Sequence, residues 1–183
     1  PLLEIKGRPF TLRDALQAPD FDRTCFVVGI FMTFYDVHTN RIPYAGRLRY
    51  RELDPIATRN SPMLPVEAGL LEGLAGSGAE ADYLFRNQRA VNTVTSLDLG
   101  QSYHVLQVAD YDVDCIVPFT MKQNQRFAQN ERFSQIRYGS QVDLIVPVSE
   151  RFDLVPLVEP GTHVEGAIDP ILRIIPRGRR TRP

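Results

Sequence analysis

IRYGSQVDLIVP, residues 136–147, sets two apolar runs on either side of a Gly-Ser pair. Both runs are rich in Ile, Val and Tyr, residues that suit a pleated, half-buried surface, and both read as strands. Taken alone, Gly139-Ser140 is an ordinary hairpin or bulge glycine. Outward from this stretch the same texture recurs. Strands are expected at 90–97, 103–109, 112–118, 132–137, 141–147 and 154–159, with breaks at Gly100, Asn124–Asn130 and Gly139. Short strands at such spacing predict a compact β-sandwich or barrel. Beyond them LVEPGTHVEGAI, residues 157–168, reads as turn, short strand, turn.

The first half is less regular. IKGRPFTLRDAL, residues 5–16, predicts a short strand, a turn at Gly7 and a helix from about Thr11. Thr11 suits the N-cap, and Asp14 falls at the third helical position, where a carboxylate meets free N–H groups. CFVVGIFMTFY, residues 25–35, predicts a buried strand and is too short to cross a bilayer as a helix. RLRYR, residues 47–51, alternates like a half-exposed or edge strand. Residues 54–80 hold Pro55, Pro62, Pro65, Gly69, Gly73, Gly76 and Gly78 and predict a long loop or flap, with Glu67–Leu74 able to make two helical turns. The fold class is therefore mainly β with a few short helices (α+β), in one domain over 1–183.

Composition removes several functions. The chain has 21 basic and 22 acidic residues, net −1, too little positive charge for a whole-surface nucleic-acid binder. Cys25 and Cys115 are too few for a disulfide scaffold. No HxxxH or CxxC spacing points to zinc, and no metal is expected. The Gly-rich GLAGSGAE at 73–80 lacks the lysine of a phosphate loop, and no GxSxG elbow occurs. Of three histidines, His104 lies in an alternating strand and reads as structural, and His163 reads as an exposed turn residue. His38 lies in DVHTNRIP, where an apolar strand gives way to polar residues, the kind of place where rigid scaffolds present chemistry. Arg173, Arg177, Arg179, Arg180 and Arg182 crowd the last eleven residues without an acid. They are either a solvated tail or a basic patch for an anionic membrane surface.

IRYGSQVDLIVP resembles the Gly-Ser signature of the phosphatidylserine decarboxylase family. IKG-PFTL-AL near the start, IFMTFYDVHTNRIPYAG at 30–46, LFRNQRAV at 84–91 and VEPGTHVEG at 158–166 resemble further family features, in the family's order. The pattern DVHxNRxP is closest to the family's shorter branch. The resemblance implies the family's core fold with a biotinyl-like turn near the C-terminus, and self-cleavage between Gly139 and Ser140. Ser140 would become a pyruvoyl cofactor, leaving fragments 1–139 and 140–183. A carboxy-lyase follows, forming a Schiff base with an amino-acid carboxylate substrate, phosphatidylserine first. A small free amino acid is the alternative substrate, and an uncleaved, non-catalytic β-rich relative the alternative class. His38 takes the place of the histidine that contacts substrate and supports decarboxylation, and an imidazole is suited to proton delivery. Tyr138 would bind substrate, with Asp36 and Arg41 in support. The resemblance further implies a phospholipid or amino-acid partner, a homo-oligomer, and a cytoplasmic protein peripheral to a membrane.

The chain departs from the family pattern in places. Arg41 stands where many members have a second histidine, Gln141 replaces the small residue usual after Gly-Ser, and an NER-like element reads Asn87-Gln88-Arg89. The family's upstream Asp-Gly segment, and any N-terminal anchor, are expected ahead of Ile5.

Overall fold

The computed structural model of the protein describes residues 3–5, 8–33, 35–53, 60–63, 83–110, 115–137 and 140–177. Strands dominate, as the sequence predicts. A small antiparallel pair, β1 (Leu3–Ile5) and β2 (Arg8–Phe10), precedes helix α1 (Leu12–Leu16). The expected single strand before α1 is thus a pair, while Gly7 lies outside the described residues. Thr11 and Asp14 form a reciprocal capping box: the Thr11 side chain accepts from Asp14 N, and Asp14 Oδ2 accepts from Thr11 N at 2.8 Å. Two of the helix's orphan donors are satisfied in this way.

The central sheet has six antiparallel strands in the order β3 (Cys25–Met32), β11 (Ser140–Pro147), β7 (Gln101–Ala109), β6 (Arg89–Ser96), β5 (Gly46–Leu53), β9 (Gln125–Phe127). Alternation along these strands buries both faces. Val142, Leu144, Val146, Tyr103, Val105, Ala90 and Val94 enter one core, together with Ile42, Ile116, Phe133, Ile136 and Phe152 from outside the sheet. Ile145, Leu106, Val108 and Val91 enter the other, against Ala15 and Leu16 of α1 and Tyr83 and Leu84 of α2 (Tyr83–Arg86).

A second sheet has the order β4 (Thr39–Arg41), β10 (Arg132–Ile136), β8 (Ile116–Pro118), and a hairpin joins β12 (Phe152–Pro156) to β13 (Leu172–Pro176). β4, β9 and β13 were not expected, and 157–168 holds turns in place of the anticipated short strand. β3 lies at the sheet edge, so most of its residues are only half-buried, in contrast to the buried strand its composition suggests. The expected flap over 54–80 falls outside the described residues except for 60–63. Among the described residues no helix is long and apolar enough to cross a membrane.

Candidate active site

The two apolar runs around Gly139-Ser140 do not pair with each other. β10 ends at Ile136 in the three-stranded sheet, bonded to β4 and β8. β11 begins at Ser140 in the six-stranded sheet, between β3 and β7. The hairpin reading is therefore replaced by a crossing from one sheet to the other. Tyr138 and Gly139 lie outside the described residues. Ser140 is in register with Met32 on one side and Ala109 on the other.

The turn that carries His38 is tied to both ends of this crossing. It leaves β3 directly after Met32, the partner of Ser140, and its far end receives a bond from Ile136 N to the His38 carbonyl at 3.1 Å. Thr33, which sequence reasoning passed over, organises the turn. Asp36 Oδ2 accepts from Thr33 N at 2.7 Å and from Thr33 Oγ1 at 2.9 Å. The Thr33 carbonyl accepts from Asp36 N at 3.1 Å and lies 2.8 Å from His38 Nε2. A carbonyl only accepts, so Nε2 carries the proton, and in the neutral ring Nδ1 is the basic nitrogen. Burial alone would raise the Asp36 pKa. The Thr33 bonds and the charges of His163 and His38 outweigh it and hold Asp36 below its usual value, as a carboxylate. His163 is exposed, as expected, and its charge brings the 157–168 turn within reach of this acid.

Arg41 sits in β4 opposite Arg132, and its guanidinium donates to the Asn130 carbonyl at 2.8 Å. Asn40 beside it is buried, and Gln107 Nε2 donates both to Asn40 Oδ1 and to Ser134 Oγ, linking the two sheets. Asn92 Nδ2 donates to Gln107 Oε1 at 2.8 Å.

The Asn87-Gln88-Arg89 element has a structural account. Asn87 brackets Ser61, and Gln88 Oε1 accepts from Cys115 N at 2.9 Å. The Cys115 carbonyl in turn accepts from Arg137 N at 3.0 Å, at the start of the crossing. Gln88 Nε2 donates to Glu52 Oε1 at 2.8 Å. A glutamate at 88 would set two carboxylates against each other there, whereas the amide serves both partners. Buried Arg89 directs Nη1 to the Asp14 and Ala15 carbonyls of α1, and burial lowers its pKa to about 10.

Just past the crossing, Gln141 is held between Tyr83 and Asp143. Burial pushes the Asp143 pKa up to about 6, against the lowering effect of the Gln141 bond. His104 bonds through Nδ1 to Thr93 Oγ1 at 3.0 Å and meets Phe21 edge-on at 5.6 Å. Burial first, and then the charge of Arg51, lower its pKa to about 4, in keeping with a structural residue. No group of three His, Cys, Asp or Glu side chains converges among the described residues.

A family model described as phosphatidylserine decarboxylase matches residues 1–169. The chain is 28% identical over 156 residues to the phosphatidylserine decarboxylase proenzyme of Nitratidesulfovibrio vulgaris, covering 85% of this chain and 60% of that protein. It is 28% identical over 141 residues to the proenzyme of the same name in Nitrosomonas europaea, covering 77% and 56%. For the proenzyme of Syntrophus aciditrophicus the identity is 25% over 165 residues, covering 90% and 67%. The chain spans about three fifths of the length of the first of these relatives. No solved structure matches it.

Proposed function

The chain belongs to the phosphatidylserine decarboxylase family, and on that premise we propose that it is a proenzyme that breaks its own Gly139–Ser140 bond and then decarboxylates a serine phospholipid. The observation that carries the reading is the crossing between sheets. A hairpin cut at its turn leaves two ends that can peel apart together. Here Ile136 remains in the ladders of β10 and Ser140 in those of β11, so both ends stay docked after the bond breaks.

In the proposed cleavage Ser140 Oγ attacks the Gly139 carbonyl carbon, and the C–N bond gives way to an ester. Loss of the Ser140 Cα proton expels the Gly139 carboxylate. Water then enters and ammonia leaves, which makes residue 140 a pyruvoyl group. Its place between two ladders suits such a group, because the end of the small chain stays fixed. Bound there, the ketone supplies an electron sink for loss of carbon dioxide. His38, held by its Nε2–H on the Thr33 carbonyl, stands to pass a proton through Nδ1 to the carbon left behind. Tyr138 completes the proposed substrate contacts, with Arg41 of β4 in support.

The proposed protein further has a sandwich- or barrel-like core with a biotinyl-like turn near the C-terminus, forms a homo-oligomer, and is cytoplasmic, at the periphery of an anionic membrane. Of the C-terminal arginines, Arg173 lies in β13 and Arg177 pairs with Asp153, while Arg179, Arg180 and Arg182 fall outside the described residues. Two measurements test the reading. Denaturing mass spectrometry of the full-length protein should find a break between Gly139 and Ser140 that Ser140→Ala abolishes. Carbon dioxide should come from phosphatidylserine vesicles rather than from free serine. An unbroken parent chain overturns the proposal, and release from free serine alone moves the substrate to a soluble amino acid.

A further inference from the structure

Gln141 follows the bond proposed to break, and both ends of its amide are held. Nε2 donates to Asp143 Oδ1 at 2.6 Å, and Oε1 accepts from the Tyr83 hydroxyl at 2.6 Å. The direction of this chain is set by chemistry, since a carboxylate accepts and only the amide nitrogen can supply the proton. Tyr83 and Asp143 are both buried. Gly29, opposite Asp143 on β3, leaves room for the carboxylate: a methyl group there would come within 3.3 Å of Asp143 Oδ1. Among the described residues no cation pairs with Asp143; such a buried carboxylate is costly to the fold, and apolar side chains of similar volume would stabilise this layer better.

The last rung of a sheet is where a strand frays first. Ser140 and Gln141 form that rung in β11, and cleavage would remove the covalent tether on their upstream side. Side-chain bonds from Gln141 to α2 and to the strand interior then add to the two ladders that still hold this end. We propose that Tyr83, Gln141 and Asp143 form a positioning tie that holds residue 140 in place for self-cleavage and afterwards fixes the new chain end. The tie deepens the reading of Gly139–Ser140 as the cleavage site and rests on it. The residues act through Gln141 and do not themselves touch the reacting atoms.

The tie carries a pH signature. Opposite Asp143, β3 presents Gly29 and β7 presents Leu106, neither titratable, and Tyr83 of α2 is the titratable group that faces it among the described residues. Burial raises the Tyr83 pKa, so the phenol keeps its proton and donates throughout. Asp143, by contrast, gains a proton as pH falls through about 6, and the charge-assisted bond from Gln141 weakens.

Cell-free synthesis of the full-length protein, chased at pH 5 to 8 and read on denaturing gels, tests this. Tyr83→Phe and Gln141→Ala should each slow self-cleavage about tenfold, the worth of one good hydrogen bond in the barrier. The double variant should be no slower than Gln141→Ala, because both act through one side chain. The parent rate should fall below pH 6, and Asp143→Asn should lack that inflection while keeping an acceptor for Gln141. Thermal midpoints of the same variants in a Ser140→Ala background separate positioning from stability. Parental rates in both single variants, additive losses, or losses that track the midpoints overturn the tie while leaving the cleavage reading intact. A parent that stays whole overturns both.

Discussion

Two titratable groups in the central sheet, Asp143 buried and His104 half-buried, should pull stability in opposite directions over the same pH range. Asp143 has its pKa raised from 3.8 to about 6 in the folded protein, so between those values the folded state holds a proton that the unfolded state has lost. Stability from this group is present below about pH 4 and is lost as pH rises through 6. His104 is the reverse. Its pKa is lowered from 6.5 to about 4, so over that range the unfolded state binds the proton and the folded state does not. Its penalty is greatest below pH 4 and disappears as pH rises toward 6.5. A displacement of about two in pKa, at roughly 1.36 kcal/mol for each, is about 3 kcal/mol for either group. Set against a typical total of roughly 5–15 kcal/mol, either slope alone is easily measured, yet together they nearly cancel.

The perturbations are Asp143→Asn and His104→Gln, each in a Ser140→Ala background that keeps the chain whole. The chain has no tryptophan, so urea unfolding at pH 4 to 8 is followed by circular dichroism. From pH 4 to 6.5, Asp143→Asn should gain about 3 kcal/mol relative to its parent, as the His104 slope is unmasked, and His104→Gln should lose a similar amount. Each substitution also moves its whole curve through altered packing, so only the slope counts. Asp14 and Asp36, whose pKa values are lowered mainly through their bonds to Thr11 and Thr33, add a rising slope to every variant. It drops out of the differences. Curves parallel to the parent within about 1 kcal/mol, or slopes of the opposite sign, would refute the assignment of desolvation as the dominant influence on both groups.

The remaining predictions concern how the frame holds the site. Gln107 is fully buried and joins Asn40 of the second sheet to Asn92 of the central one. Gln107→Ala takes a hydrogen-bond partner from each and leaves a cavity, and should lower the unfolding free energy by about 3 kcal/mol at constant denaturant slope; a loss under about 1 kcal/mol would count against the network. Thr11→Ala removes one half of the α1 capping box and should cost about 1 kcal/mol in the same assay, whereas Thr11→Ser should restore most of it.

Elements with a long apolar alternation were legible in the sequence, and elements without one were not. β6, β7 and β11 each carry eight or nine residues with opposed faces in two cores, so periodicity finds them within a residue or two. β4 reads TNR and β9 reads QRF. Three polar-rich residues carry no period, and they become strands only because β10 and β5 supply the partner. β13 was hidden in a segment whose arginines dominate its composition, although Leu172 and Ile174 pack against the core while Arg173 faces out.

The site was legible as a set of residue types but not as an arrangement. DVHTNRIP marks His38 and Asp36 by their place after an apolar strand, and both lie in one turn. What organises the turn is Thr33, whose hydroxyl and main chain meet Asp36 and His38 within six residues of sequence. Local spacing could have suggested it, because a Thr three residues before an Asp is a common turn arrangement. Nothing local could have shown that Ile136 and Ser140 belong to different sheets. Two apolar strands either side of a Gly-Ser pair look the same in a hairpin and in a crossing. Their partners include residues 25–41, about a hundred positions earlier, so the choice is made by long-range pairing. The consequence for function is physical. A bond at a hairpin turn is a closure shared by two paired strands, while a bond at a crossing connects two structures that are each already held, and only the second can be broken without giving either strand a free partner to lose.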